Sequence, residues 1–463
     1  MSSSRKIIEP SRTTPVVGEY DVVVVGGGPA GLMSAIAAAS GGLSTLLVER
    51  YGFLGGAGTM GGLSTFCGLH ARVHGDDRRV VRGFTDELLD RLDTAGGLSA
   101  PHLTIEDRIL AQAFDISVYK KIADEIVLDH GGTILFHATA VGVSMAADDR
   151  IDAVIVESKS GRQAIRGRIF IDGSGDADLA AWSGAPYEVS ESLLYPSLMF
   201  RINNVDPVRA GQAWKSIARL MDEAEAAGTH RFPRKKPLVR PQRNPIEWRS
   251  NITQLSNEDG APIDGTNVLE LTHGEIEGRR QSFDAFDFIR RNQVGFEDAY
   301  IVDLAPQIGV RETRRIVGPY QLTEDDILDC VDFEDTIGVN GWPVEAHVEG
   351  DVVFRFPHLA DTRGFNQMPF RTIVPQRIAN LYVVGRCASM TQWGQSSARV
   401  TGGCFVMGQA AGTAAAIALH DDVAVGDIDV AELQRRLDAD GAYLGTDLAP
   451  DVVRASAAIS TGA

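Results

Sequence analysis

A chain of 463 residues with 44% hydrophobic and 23% charged content has the balance of an ordinary globular protein and length for two or three domains. Its net charge of −18 leaves no basic surplus to meet phosphates, which excludes a nucleic-acid partner. Cys67, Cys330, Cys387 and Cys404 form no C-x-x-C pair or ligand cluster, so no metal is expected, and scattered cysteines suit a reducing, cytoplasmic setting.

The first residues, MSSSRKIIEPSRTTP, contain no apolar leader core, and residues 1–19 read as a flexible arm. Organisation begins at Tyr20–Ala35, YDVVVVGGGPAGLMSA. Four valines are too few and too β-branched for a helix, so they predict a buried strand. Gly26, Gly27 and Gly28 follow, then Pro29, Ala30, Gly31 and a helix-compatible run from Leu32 to Ala39. In a strand–turn–helix context this is a dinucleotide fingerprint: Gly26 for the tight turn, Gly28 for close approach of a pyrophosphate, Gly31 for helix–strand packing. The helix N-terminus then offers N–H groups and a positive dipole end to the phosphates. The next short strand, Ser44–Glu49, ends in an acid at the spacing of roughly 20 residues expected for a carboxylate that grips a ribose and disfavours a 2′-phosphate.

A second glycine-rich stretch, YGFLGGAGTMGGLSTFCG, suits backbone lying flush against a flat ligand. The periodicity predicts helices over VRGFTDELLDRL and over Ile105–Leu128, then a run of strands with a hairpin turn at Asp148, Asp149 and Arg150. The last of these strands, Arg168–Asp172, ends in GSGDAD and brings the chain back to the nucleotide crevice, with a helix starting near Ala177. Residues 187–370 have a different texture, rich in Trp, Tyr and Pro. Within them LMFRINNVD reads as an edge strand. PVRAGQAWKSIARLMDEAEAAG and EIEGRRQSFDAFDFIRRNQVG read as helices, and RFPRKKPLVRPQRNP as a solvated basic loop. NLYVVGR, ending on Gly385, is again a short buried strand. Gly402–Leu419, built of Ala, Gly and Thr, reads as a buried core helix rather than a membrane span. Asp427–Gly445 contains a short helix, and the tail beyond Pro450 reads as frayed.

Four stretches together, VVVVGGGPAGLMSA, ERYGFLGGAGTMGG, FIDGSGDADLAAWSGAP and NLYVVGRCASMTQWGQSSARVTGGCFVMGQAAGTAAA, resemble the FAD-dependent oxidoreductases with the glutathione-reductase type of nucleotide fold. More narrowly they are similar to the branch distantly related to fumarate reductase flavoproteins, as is GVRETRRIVGPYQLTEDDI. The resemblance implies an α/β fold: a Rossmann-like FAD-binding domain, with a parallel sheet, helices and a small antiparallel sheet, interrupted by an inserted α+β substrate domain. On this reading residues 20–186 and 371–420 form the FAD-binding domain, residues 187–370 the cap, and residues 421–463 a helical tail. FAD would take the extended form. Gly26, Gly28, Pro29, Ala30 and Gly31 would hold its pyrophosphate, Glu49 the adenosine ribose, and Arg50 would lie by the adenine. Gly56, Thr59 and Gly61 would run beside the ribityl chain and flavin. Ala140 and Val141 would meet the adenine, Ser174 and Gly175 the central part, and Gly385 the phosphate and ribityl. Gly402 and Gly403, at a helix N-terminus, would face the flavin's N1/C2 oxygen edge. Many flavoproteins have Gly-Asp after the last strand; here Gly385 is followed by Arg386.

The substrate would lie between flavin and cap. In RETRR, Arg311 and Arg315 share a face as helix or strand, and the following Ile316–Pro319 favours a strand. An Arg pair there could clamp a carboxylate; the alternative is a structural ion pair with nearby acids such as Glu324, Asp325 and Asp326. His347 and His358 are the candidate acid–base residues, with His70 and His74 just past the flavin-side glycines. Cys67 reads as a packed, inert thiol, and Trp393, Gln395 and Ser396 as pocket lining. The expected activity is hydride transfer between a small organic substrate and flavin N5. Two alternatives stay open: an electron-transfer flavoprotein working with a redox partner protein, and an isomerase or hydratase that uses FAD structurally. A homo-oligomer is open, and no membrane partner is expected.

Overall fold

Val22–Val25 are fully or nearly fully buried, as four β-branched residues between two layers should be. In the computed structural model, which describes residues 7, 9–105, 107–358 and 362–446, they end a strand that begins at Val16, so Val16–Glu19 belong to the sheet rather than to an arm. The first six residues and the tail beyond Pro450 lie outside the described residues.

Five strands run parallel. Val16–Val25 pairs with Thr45–Val48 on one side and with Gly161–Asp172 on the other. Thr133–Leu135 extends the sheet beyond Thr45–Val48, and Leu381–Val383 pairs with the end of Gly161–Asp172. The start of Gly161–Asp172 pairs antiparallel with Arg150–Ser158, and that strand with Thr139–Ala147, across the predicted hairpin turn. This parallel sheet with an antiparallel extension is the expected α/β arrangement.

The first helix, Pro29–Ser40, packs against the last long one, Thr401–Asp421. Their closeness explains the small-residue composition. A Cβ on Gly408 would sit 2.1 Å from the Ala30 carbonyl, and one on Gly412 2.4 Å from that of Ser34. Thr401–Asp421 is long and apolar enough to cross a membrane, yet 89% of its most apolar window is buried within the fold. It is a core helix.

Three further sequence expectations fail. Ile105–Leu128 is not one helix: Ile109–Ala113 is a strand, paired with His102–Thr104 and Thr65–Phe66, and the helix is Ile116–Asp129. A short apolar run fits either period, and here pairing decides. Phe200–Asn203 is not an edge strand, because Trp248–Asn251 and Tyr300–Leu304 flank it. Nor is RFPRKKPLVRPQRNP simply solvated. Leu238–Pro241 is the outer strand of the same four-stranded antiparallel sheet, and Arg234 is only 3% exposed. Helices Ala213–Ala226 and Val268–Asn292 accompany this sheet, with a core that includes Phe200, Ile217, Trp248, Phe286 and Phe296.

Candidate active site

The turn after the first strand is shaped by its three glycines in three ways. Gly26 has φ +98°, and a Cβ there would lie 2.4 Å from the Gly173 carbonyl. A Cβ on Gly31 would lie 1.9 Å from the Gly26 carbonyl, so Gly31 sets the helix–strand distance. Gly28, at the helix N-cap, differs: the nearest atom to its Cβ would be the Gly56 Cα at 3.9 Å. Its open side faces a cavity of about 310 Å³.

Glu49 closes the other flank of the turn. Its Oε2 accepts from the Gly27 N–H at 2.7 Å and its Oε1 from the Tyr51 N–H at 2.9 Å. Gly26, Gly28, Pro29, Ala30, Glu49, Arg50, Gly56, Gly61, Ala140, Ser174, Gly175, Gly385 and Arg386 all line the cavity. An open Gly28 at a helix N-terminus, with an acid on the neighbouring strand end, fits the diphosphate and ribose of a dinucleotide.

Gly31, Thr59, Val141, Gly402 and Gly403 are not on the cavity wall. The Thr59 hydroxyl donates to the Leu54 carbonyl at 2.7 Å. Val141 follows Ala140 in a strand, where successive side chains alternate faces. Gly402 and Gly403 are packing glycines, with virtual Cβ atoms 2.1 Å from the Gly68 carbonyl and 2.2 Å from that of Ala398. The Gly402 N–H donates to the Cys67 carbonyl at 2.8 Å, and Thr401 and Cys404 are the helix residues that reach the cavity. The short helix Asp178–Ser183 offers no open N-terminus, because the Asp172 carboxylate accepts from the N–H groups of Leu179 and Ala180.

Arg386 follows Gly385 directly. It donates to the Gly175 carbonyl at 2.6 Å, to the Val310 carbonyl at 2.6 Å and to Asp176 at 2.5 Å. Arg386 thus ties three segments of the crevice together.

Residues from 187–370 also line the cavity. Arg311 and His347 line it; His358 is exposed and does not. The residues 311–314 are not strand, and only Arg315–Ile316 pairs, so Arg311 and Arg315 part company. Arg315 is ion-paired with Glu312 and with Glu188, rather than with Glu324, Asp325 or Asp326. Arg311 donates to the carbonyls of Tyr195 and Gly309 and to the Ser197 hydroxyl. Burial, with Arg399 and Arg234 nearby, draws its guanidinium well below the ordinary value.

Burial and the Arg311 charge likewise hold His347 well below the usual imidazole range, against the pull of Glu345, so its ring is neutral. Burial acts to raise the Glu345 carboxyl. The bonds it accepts from His347 at 3.1 Å and Trp342 at 2.8 Å, and the Arg399 charge, overcome this and take it to about 2. Cys67 lines the cavity, its thiol pushed up to about 12 by burial, which suits an inert group. His70 is buried off the cavity, and His74, Trp393, Gln395 and Ser396 do not line it.

The lining residues that the sequence reading did not single out include His102, Asp176, Arg240, Arg249, Glu345 and Arg399. Burial, Arg249 and Arg240 lower His102 to about 4. Burial and Arg249 lower Arg240 to about 10.

The profile of the FAD dependent oxidoreductase family matches residues 21–437. A dihydrolipoyl dehydrogenase of Trypanosoma brucei brucei is 58% identical over 45 residues, a match that takes in 10% of this chain and 9% of that protein's length. Among solved structures, a geranylgeranyl bacteriochlorophyll reductase-like protein from Thermoplasma acidophilum aligns over 91% of this chain and 84% of its own, at 15% identity and a TM-score of 0.47. A p-nitrophenol 4-monooxygenase from Pseudomonas putida aligns over 93% of this chain and 87% of its own, at 13% identity and a TM-score of 0.47.

Proposed function

The chain belongs to the FAD dependent oxidoreductase family, and from that premise we propose that it moves a hydride between a small organic substrate and FAD, with the substrate held in the cavity under residues 187–370. When bound, FAD supplies a two-electron centre at flavin N5 that takes a hydride from, or gives one to, a substrate carbon. The rest falls to the chain's own residues.

Gly26, Gly28, Pro29 and Ala30, with the first helix N-terminus, would hold the diphosphate, and Glu49 the adenosine ribose. Arg50 and Ala140 would flank the adenine. Ser174, Gly175, Gly385 and Arg386 would lie along the middle of the cofactor, and Gly56, Gly61 and Thr401 toward its ring. His347 holds or takes the substrate proton. Glu345 accepts from Nε2–H, which leaves Nδ1 of the neutral ring as the basic atom. Arg311 steadies a substrate oxygen that gains negative charge.

The observation that carries this reading is continuity: one cavity is lined both by Gly28 and Glu49 and by Arg311 and His347. The test is anaerobic reduction. A panel of small organic compounds is added to the FAD-loaded protein, and the flavin's visible band is followed. One compound should bleach it, and His347→Gln should slow that bleaching with FAD content unchanged. Bleaching only by a reduced partner protein, or turnover with no bleaching, would replace this reading with electron transfer or non-redox catalysis.

A further inference from the structure

A row of charged side chains crosses the four-stranded sheet of the middle section. Arg240 and Arg249 stand directly opposite one another in antiparallel register, and Leu238 and Asn251 form the next pair on the same face. All four line the cavity. On the other flank of Arg249 the row continues with Arg201 and then Asp303.

Arg201 is neutralised by ion pairs with Glu247 at 2.9 Å and Asp303 at 3.3 Å. Arg249 and Arg240 form no ion pair among the described residues. Arg249 is 6% exposed, its Nε has no hydrogen-bond partner, and one Nη reaches only the Met199 sulfur at 3.9 Å. Like charges opposite each other on a sheet repel, and a guanidinium buried without a counter-charge is costly. The walls around them make the imbalance worse. Arg311 and Arg399 line the same cavity, and the one Glu345 carboxylate is shared among Arg249, Arg311 and Arg399, with Asp107 acting on Arg240. The cofactor's phosphates have their own partners in the glycine turn and the helix N-terminus.

We propose that the substrate carries an oxyanion group and that Arg249, with Arg240 and His102 beside it, anchors it. This rests on the hydride-transfer reading, in that the anchored molecule is the compound FAD oxidises or reduces. A planar guanidinium fork matches a carboxylate in a bidentate pair, and a phosphoryl group presents the same oxygens. An anion between the two arginines turns their repulsion into a clamp. His102, an uncharged ring, adds a hydrogen bond without adding charge.

Equilibrium titration of the oxidised, FAD-loaded full chain tests this without turnover. Acetate, succinate, inorganic phosphate and tetramethylammonium are added at constant ionic strength, followed by perturbation of the flavin's visible spectrum and by calorimetry. At least one oxyanion should bind saturably and tetramethylammonium should not. Arg249→Met and Arg240→Met should each weaken that binding at least ten-fold at unchanged FAD content, and Arg249→Lys should restore part of it. Preference for acetate or succinate assigns a carboxylate, and preference for phosphate a phosphoryl group. Should Arg249→Met fail to fold, Arg240→Met and Arg249→Lys carry the test. No saturable oxyanion, or unchanged affinity in the methionine variants, overturns the proposal. Oxyanion binding with no compound able to bleach the flavin sinks the hydride reading alone. Bleaching by an uncharged compound, with no oxyanion bound, sinks this one alone.

Discussion

The amide of Gly27 donates to Oε2 of Glu49 at 2.7 Å, so the fingerprint turn and the end of the neighbouring strand are held as one unit. The same carboxylate accepts from Tyr51 through its other oxygen. Glu49 therefore shapes the turn as well as offering an acceptor to a ribose. Losing a hydrogen bond to a charged group costs about 1.5–3 kcal/mol. Glu49→Ala should raise the FAD dissociation constant roughly 10- to 100-fold, with an apoprotein that still folds. Glu49→Gln, which keeps one carbonyl acceptor, should lose less. Fluorescence titration with FAD measures both, and an unchanged constant in the alanine variant removes Glu49 from the ribose.

Two glycines of the fingerprint should fail in opposite ways. At Gly31 an added methyl collides with the Gly26 carbonyl, so Gly31→Ala should lower the melting temperature of the apoprotein and of the holoprotein. At Gly28 the methyl meets no protein atom within 3.9 Å. Gly28→Ala should leave the apoprotein's melting temperature unchanged and abolish the stabilisation that added FAD confers. Thermal melts with and without FAD separate the two, and an apoprotein destabilised equally by both changes contradicts the geometry.

What could be read from the sequence was whatever local rules decide. Four valines before a glycine turn have one good solution, and the Ala/Gly helix Thr401–Asp421 shows its close packing in its composition. Non-local pairing was harder to read. Nothing in LVRPQRNPIEWRSN says that Arg240 and Arg249 will oppose each other, because that depends on the register across Gln242–Glu247. The basic character of the stretch suggested solvent, while the sheet turns Arg240 inward. The Asp176–Arg386 pair is equally invisible, since two strand ends far apart in the chain must first be brought side by side. In RETRR, the irregular backbone before Arg315 sends Arg311 to the cavity and Arg315 to Glu312, where a regular strand would have aligned them.

That divergence predicts distinct phenotypes. Arg315 and Glu312 are both almost fully buried, and removing one partner strands the other's charge. Arg315→Met should cost about 3–5 kcal/mol of stability and leave substrate KM unchanged in whatever protein folds. Arg311 has carbonyl and hydroxyl partners and forms no ion pair among the described residues. Arg311→Met, which leaves buried acceptors but no paired carboxylate behind, should cost less stability than Arg315→Met, about 1–3 kcal/mol, and lower kcat/KM at least ten-fold. Urea unfolding paired with steady-state kinetics distinguishes the two, and a reversed pattern would move the chemistry from Arg311 to Arg315.

His70 should make the fold acid-sensitive. Burial, aided by the Arg79 charge, lowers its imidazole from 6.5 to about 4, and its Nδ1 has no hydrogen-bond partner. Above the unfolded value both states are neutral at this site, and its contribution to stability is fully present. As pH falls below 6.5 the unfolded chain takes up the proton and the folded chain refuses it, so stability drains away until the folded pKa is reached. At 1.36 kcal/mol per unit the loss amounts to about 3 kcal/mol by the bottom of that window. His70→Gln cannot titrate. Its packing cost is the same at every pH and cancels when each protein is compared with itself. Urea unfolding of the FAD-saturated proteins near neutral pH and near the folded pKa should show a smaller acid-induced loss in the variant, by about 2–3 kcal/mol. An equal loss in both would mean that His70 is already protonated in the fold, and that its burial conceals a counter-charge.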